Sequence, residues 1–116
     1  MPKTTVAAEL AGRSCKACQG NVKKLEDAQV KKYLKELPGW TLFGNEIART
    51  YSFKNYYETM AFVNATAWVS HHEDHHPDLE VGYNKCKVRY STHSVGGLSE
   101  NDFICAAKID ALFDQV

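Results

Sequence analysis

Four of the five histidines in this chain fall within the seven-residue stretch 71–77, whose sequence is HHEDHHP. Imidazole has an unperturbed pKa of about 6.5, so one ring can donate a proton while a second ring accepts one at neutral pH. The stretch also contains His-Glu-x-x-His, the spacing at which two helical histidines bind zinc while the glutamate acts as a base. These residue types predict acid-base catalysis, a zinc site, or a helix end that carries titratable side chains.

The zinc interpretation requires one helix that carries both histidines of the motif, His72 and His76. Pro77 opposes such a helix because proline disfavours helical backbone in the residue before it. A third ligand is also scarce, since His93 is the only histidine outside the cluster. We therefore expect no metal site, and the main structural alternative is a polar helix end whose imidazolium groups interact with the helix dipole.

A predicted β-hairpin carries His93 back to the cluster. Apolar and polar residues alternate on both sides of Asn84-Lys85, which predicts two antiparallel strands joined by a two-residue turn at that pair. In this register Leu79 lies opposite Tyr90, and further pairing brings His93 beside the end of the preceding helix. The apolar faces of the two strands agree in this register, which supports it.

Three histidines would then line one concave site, with His75 and His76 at the junction of helix and strand and His93 opposite His76. Two acids, Asp74 and Asp102, are candidates to orient the imidazole rings. Each acid also has an ordinary structural explanation, a solvated helix end for Asp74 and a helix N-terminal acid for Asp102. From the sequence alone, the functional and structural explanations of these two acids are about equally well supported.

The elements that would position these residues follow from apolar periodicity. Helical spacing of apolar residues predicts three helices, at 27–37, 56–72 and 100–114. Aromatic and β-branched residues around turn-forming pairs predict two hairpins, at 40–53 and 78–91. The fold class is then α+β, with the order α-β-β-α-β-β-α and a four-stranded antiparallel sheet covered on one face by helices.

Apolar residues wrap most of the last predicted helix, which a small monomer could not bury, so we expect that helix to form a subunit interface. Residues 1–25 are small and polar, and we interpret them as an N-terminal arm, whose order the sequence leaves open, outside a single domain at 26–116. Within the arm, Cys15 and Cys18 have the spacing of half a zinc site or of a redox pair. Neither type of site has its second half nearby, so we expect an ordinary turn.

Composition narrows the functional classes. Fourteen Lys and Arg balance fourteen Asp and Glu, and no basic block occurs, so we expect no direct nucleic-acid partner and no membrane partner. The longest apolar run, Phe103 to Ala107, is far shorter than the roughly 20 residues that span a bilayer. With no apolar export signal, we expect a cytoplasmic protein with reduced thiols.

The spacing of several residues resembles the motif of pterin-4a-carbinolamine dehydratases, and these residues are His75-His76-Pro77, Tyr83, His93 and Asp102. Shorter runs resemble the same family, namely Gly39-Trp40, Tyr83-Asn84-Lys85, Ser91-Thr92-His93 and Gly97-Leu98-Ser99. The resemblance covers roughly residues 27–114 and depends on a spaced pattern, which is more specific than any short motif. It implies a four-stranded antiparallel sheet with three helices, and assembly into dimers or tetramers.

The reaction implied by the resemblance is dehydration of 4a-hydroxytetrahydropterin to quinonoid dihydropterin, without a metal or other cofactor. It would restore the pterin used by aromatic amino acid hydroxylases, which are candidate pathway partners. The resemblance implies His75 and His93 as the acid-base pair, with His76 at the pterin. The predicted catalytic set is therefore His75, His76 and His93, and the predicted substrate-binding set is Asp74, Ser91, Thr92 and Asp102.

The main alternative function is a binding module, because some members of this family are known as dimerisation cofactors of a homeodomain transcription factor. The apolar last helix would then be the working surface. A zinc hydrolase is the weaker third hypothesis.

Overall fold

The computed structural model describes residues 6–15 and 22–114 of the chain. In these ranges the helices are α1 (Val6–Gly12), α2 (Asp27–Glu36), α3 (Tyr56–Glu73) and α4 (Glu100–Phe113), with a short 3₁₀ helix at His93–Val95. The strands are β1 (Thr41–Phe43), β2 (Glu46–Ser52), β3 (Asp78–Val81) and β4 (Lys85–Tyr90). No helix in the described ranges is both long enough and apolar enough to cross a membrane.

The four strands form one antiparallel sheet in the order β1-β2-β4-β3. One face of β2 and β4 carries five fully buried side chains, those of Ile47, Tyr51, Cys86, Val88 and Tyr90. Core residues of α3 and α4, among them Phe62 and Phe103, pack with these side chains. The opposite face carries polar side chains such as Lys87 and Arg89. The predicted α+β class and the four-stranded antiparallel sheet are confirmed.

The second hairpin differs from its predicted register. Leu79 pairs with Val88 instead of the predicted Tyr90. The two-residue turn therefore lies one position earlier, at Tyr83-Asn84. Moving a hairpin turn by one residue changes each pairing by two, which keeps every side chain on the same face of the sheet. Agreement between the apolar faces could not distinguish the two registers.

The last helix is buried within the chain, which corrects the prediction of a subunit interface on α4. Every residue from Asn101 to Ala107 is buried. The helix α1, which the sequence pattern did not predict, packs along α4, and Leu10 of α1 is fully buried. This part of the predicted N-terminal arm thus covers apolar surface on α4 that would otherwise meet solvent.

Cys15 follows α1 and lies against α4. Its Sγ is 3.4 Å from the Sγ of Cys105, and its backbone N–H donates to Oε1 of Glu73 at 2.7 Å. The hydrogen bond with Cys105, together with burial, raises the pKa of the Cys15 thiol above its ordinary value. The contact between the two thiols thus joins the end of α1 to α4. Cys18, the other half of the predicted motif, lies outside the described residues.

Candidate active site

The chain reverses direction where α3 ends. The helix continues to Glu73, and Asp74 then adopts a left-handed conformation with a φ of 52°. The backbone N–H of His75 donates to the carbonyl of Ser70 at 3.1 Å and closes the last turn. This reversal leaves His75 only 5% exposed, while Asp74 and His76 lie at the surface.

His75 forms a buried pair with Asp102 in the first turn of α4. Nε2 of the imidazole lies 2.7 Å from Oδ1 of the carboxylate, which is fully buried. The other oxygen, Oδ2, accepts hydrogen bonds from the Thr92 hydroxyl at 2.8 Å and from the Ser99 N–H at 2.9 Å. A carboxylate only accepts hydrogen bonds, so Nε2 carries the proton of this contact and the ring orientation is fixed.

The ring of Tyr90 stacks on the face of the His75 imidazole. The two rings are nearly parallel, with centroids 5.6 Å apart and an interplanar angle of 7°. Tyr90 is the last residue of β4 and is fully buried, and this burial raises the pKa of its hydroxyl. Stacking on the face and Asp102 at the edge leave the imidazole of His75 little freedom to rotate. The sequence marked Tyr90 only as an alternating strand residue, so its contact with His75 was missed.

Most of the predicted site residues line one cleft of about 250 Å³, which we call the histidine cleft. It is lined by Asp74, His75, His76, Ser91, Thr92, His93 and Ser94. Asp102 is the one predicted site residue that does not reach the cleft wall, because its side chain is buried beneath His75. Its position favours orientation of the His75 ring over direct contact with a substrate.

His93 reaches this cleft by a route that differs from the predicted pairing. Continued past its last pair, the β3–β4 register places His76 opposite Ser91, so the prediction that it lies opposite His93 is wrong. His93 instead begins the 3₁₀ helix, in a loop closed by the bridge between Thr92 and Gly97. The loop, and not strand pairing, brings the third histidine to the cleft.

A second cleft, of about 410 Å³, adjoins the first and shares part of its wall. It is lined by Phe43, Gly44, Asn45, Glu46, Ser91, Thr92, His93, Gly96 and Gly97. Ser91, Thr92 and His93 therefore face both clefts. From the sequence, this region was predicted only as part of the hairpin at 40–53, and no pattern associated Phe43 or Glu46 with the site.

His71 and His72 lie outside the histidine cleft, on the exposed surface of α3. The His72 ring stacks on Trp68, with centroids 5.1 Å apart and an interplanar angle of 5°. Because α3 ends between His72 and His76, the helical spacing that the zinc motif requires is not formed. Among residues 6–15 and 22–114, no group of three His, Cys, Asp or Glu side chains is arranged to hold a metal ion.

The geometry suits proton transfer. One imidazole, on His75, has a fixed orientation, and two exposed imidazoles, on His76 and His93, line the same cleft. An acid and a base positioned on one small molecule can together remove a proton and protonate a leaving group.

Residues 23–112 match the family model described as Pterin 4 alpha carbinolamine dehydratase. The chain belongs to this family. Within it, the chain is 64% identical over 105 residues to a Nitrosomonas eutropha protein that carries the family's name, covering 90% of this chain and 93% of that protein. A Nitrosomonas europaea protein that also carries the name is 63% identical over 110 residues, covering 94% and 97% of the two chains.

A solved structure shares the dehydratase fold. The crystal structure of a transcriptional coactivator/pterin dehydratase from Brucella melitensis matches with a TM-score of 0.75 and 30% identity, over 77% of this chain and 97% of that chain. The resemblance to pterin-4a-carbinolamine dehydratases noted in the sequence is therefore confirmed.

Proposed function

We propose that this member of the family dehydrates 4a-hydroxytetrahydropterin to quinonoid dihydropterin. In this reaction the N5 proton leaves, the electron pair of the N5–H bond forms the N5=C4a double bond, and the C4a hydroxyl departs with a proton as water. The observation that carries the proposal is the buried pair of His75 and Asp102 beneath a cleft that also contains His76 and His93. Family membership supports the pterin substrate class.

His75 and His93 are the proposed acid-base pair. One imidazole takes the N5 proton, and the other delivers a proton to the departing hydroxyl. The fixed orientation of His75 supports this role, because proton transfer requires heavy atoms held about 3 Å apart in good alignment. The exposure of His93 lets its ring exchange protons with solvent between turnovers.

His76, Ser91 and Asp74 are proposed to contact the pterin from the cleft wall. Thr92 contributes in a different way, because its buried hydroxyl donates to Asp102. It holds the carboxylate that orients the catalytic ring. Both proton transfers are assigned to imidazoles, so the proposed mechanism uses no metal and no cofactor.

The proposed biological role is recycling of tetrahydropterin for an aromatic amino acid hydroxylase, in the cytoplasm. The dehydration removes the 4a-hydroxyl that ring hydroxylation leaves on the pterin. A hydroxylase is therefore a partner in the pathway, with no requirement for direct contact.

The test is dehydration of 4a-hydroxytetrahydropterin by the purified chain. The rate should fall about 10²-fold or more in His75→Ala and in His93→Ala, because each removes one proton-transfer group. His71→Ala is the matched control, since His71 is an exposed histidine outside the cleft. It should keep nearly all of the activity. Wild-type rates in both cleft variants, or an equal loss in the control, would contradict the assignment.

A coactivator role, as named for the Brucella melitensis relative, is the alternative function. The sequence argument for it used an exposed apolar α4, and that helix is buried. Assembly into dimers or tetramers stays a proposal from the family resemblance, and it needs a different surface. The exposed aromatic side chains of Tyr57 and Trp68 on α3 are candidates, and sedimentation velocity measures the assembly state.

A further inference from the structure

Three residues form a row across the outward face of the sheet, next to the histidine cleft. Phe43 pairs with Glu46 across the β1–β2 turn, where Gly44 has a φ of 61°. The β2–β4 register, continued by one pair, places Glu46 opposite Ser91. Directly opposed residues of antiparallel strands point to the same face. Phe43, Glu46 and Ser91 therefore line one surface.

This row lies in the 410 Å³ cleft that shares Ser91, Thr92 and His93 with the histidine cleft. A ligand that occupies the histidine cleft and extends past His93 would therefore lie over Phe43 and Glu46. The two adjoining clefts suit a molecule with two fused rings, one at the histidines and one over the row.

The side chains of the row have the chemistry to bind a flat, hydrogen-bonding ring. Phe43 is 77% exposed and presents an aromatic ring for stacking. The Glu46 side chain is 31% exposed, and its Oε1 lies 4.0 Å from Nε of Arg89. The Arg89 guanidinium makes its closer ion pair with Glu80. The Glu46 carboxylate thus retains capacity to accept hydrogen bonds from a ligand.

We propose that Phe43 and Glu46 bind the pyrimidine ring of the pterin and select for its 2-amino group. The 2-amino group and N3–H are two donors on one edge of that ring, and they match the two oxygens of a single carboxylate. Phe43 stacks on the face of the same ring. The histidines then act at the C4a–N5 bond, away from the 2-amino group. This inference rests on the proposed function.

Calorimetric titration with two unreactive ligands tests the selection. The ligands are 7,8-dihydropterin, which carries the 2-amino group, and 7,8-dihydrolumazine, which carries an oxygen there. The wild type should bind dihydropterin about tenfold more tightly, because a carboxylate accepts from an amine and repels a carbonyl oxygen. Glu46→Gln should lose this preference, since its amide can donate to the oxygen.

Two further variants distinguish the contribution of the Phe43 ring from that of the Glu46 carboxylate. Phe43→Ala should weaken both ligands by a similar factor, about five- to tenfold, because stacking does not discriminate between the two groups. Glu36→Gln is the control, since it removes an exposed carboxylate at the end of α2, outside the cleft and away from Arg89, and both affinities should be unchanged. In the dehydration assay, Glu46→Gln should raise KM about tenfold and leave kcat within about twofold.

Each outcome decides between the two proposals. A folded Glu46→Gln variant that keeps the wild-type preference overturns the inference and leaves the proposed dehydration intact. A wild type that binds neither ligand overturns both. Glu46→Ala provides a second variant without the carboxylate, and it should lose the preference as well. Circular dichroism establishes that each variant is folded.

Discussion

Nε2 of His75 and Oδ1 of Asp102 lie 2.7 Å apart, although 27 positions separate the two residues in the sequence. The contact joins the end of α3 to the first turn of α4, and both side chains are buried. Any change in the packing of these two helices therefore moves a proposed catalytic group. Mutations at this contact should lower kcat more than they weaken substrate binding.

Asp102→Asn should lower kcat about 10²-fold while KM stays within about threefold. The amide has the same size, but one of its two polar atoms is an NH₂ donor. It therefore cannot accept from His75, Thr92 and Ser99 together, or stabilise an imidazolium as a carboxylate does. Steady-state dehydration kinetics measure both constants. Asp114→Asn, at an exposed acid after α4, is the control and should be unaffected. A wild-type kcat in folded Asp102→Asn would show that the carboxylate does not act through His75.

Tyr90→Leu should lower kcat about tenfold and the free energy of unfolding by about 2–3 kcal/mol. It removes the ring that stacks on His75 and leaves a cavity in the core. Tyr90→Phe keeps the stack and should retain most of the activity. Urea unfolding and dehydration kinetics measure the two effects. If the Leu and Phe variants are equally active, Tyr90 does not position the imidazole.

Leu10→Ala should lower the free energy of unfolding by about 2–4 kcal/mol, because Leu10 is fully buried against the core. Glu9→Ala, one position earlier on the exposed side of α1, is the matched control and should change stability by less than about 0.5 kcal/mol. Chemical denaturation measures both variants. Equal stability of the two would mean that α1 does not contribute to the fold.

Stability should fall at alkaline pH. Burial, together with the neighbouring carboxylate of Asp110, raises the pKa of Tyr51 above its ordinary value of about 10. The unfolded chain therefore loses this proton first, so the stability that protonated Tyr51 contributes is complete below about pH 10 and declines above it. Burial also raises the pKa of Tyr90, so this residue contributes to the same loss of stability at alkaline pH.

Denaturation from about pH 8 to pH 11 measures this decline. Tyr51→Phe should make the decline shallower, and it should also lower stability at neutral pH because the hydroxyl no longer donates to Asp110. Tyr57→Phe alters an exposed tyrosine on α3 and should leave the decline unchanged. A wild type whose stability is constant through pH 11 would contradict the linkage.

The strands and α3 could be predicted because each has a local period in its apolar residues. The register of the second hairpin could not be predicted, since pairing Leu79 with Val88 or with Tyr90 buries the same face of each strand. The sequence of α1 shows no apolar period that could predict a helix. A seven-residue helix presents few positions, and Leu10 is its one buried side chain among those described. Missing α1 also caused the wrong prediction that α4 is exposed.

The candidate site was predictable where its residues are neighbours in the sequence, as His75 and His76 are, and the strand pairing predicted for His93 was wrong. The sequence identified Asp102 as an acid at the N-terminus of the last helix, and in the structure it forms a capping box with Ser99. The same carboxylate oxygen that accepts from Ser99 also accepts from Thr92, which leaves the other oxygen for His75. That three-way contact depends on helix packing, so no local pattern could reveal it.

The central claim is that His75, oriented by Asp102, transfers a proton during dehydration of 4a-hydroxytetrahydropterin. The most direct test is kcat for this dehydration, measured at saturating substrate for the wild type and His75→Ala side by side. We predict a kcat about 10²-fold or more lower in the variant, with an unchanged circular dichroism spectrum. A folded His75→Ala protein with the wild-type kcat would contradict the claim.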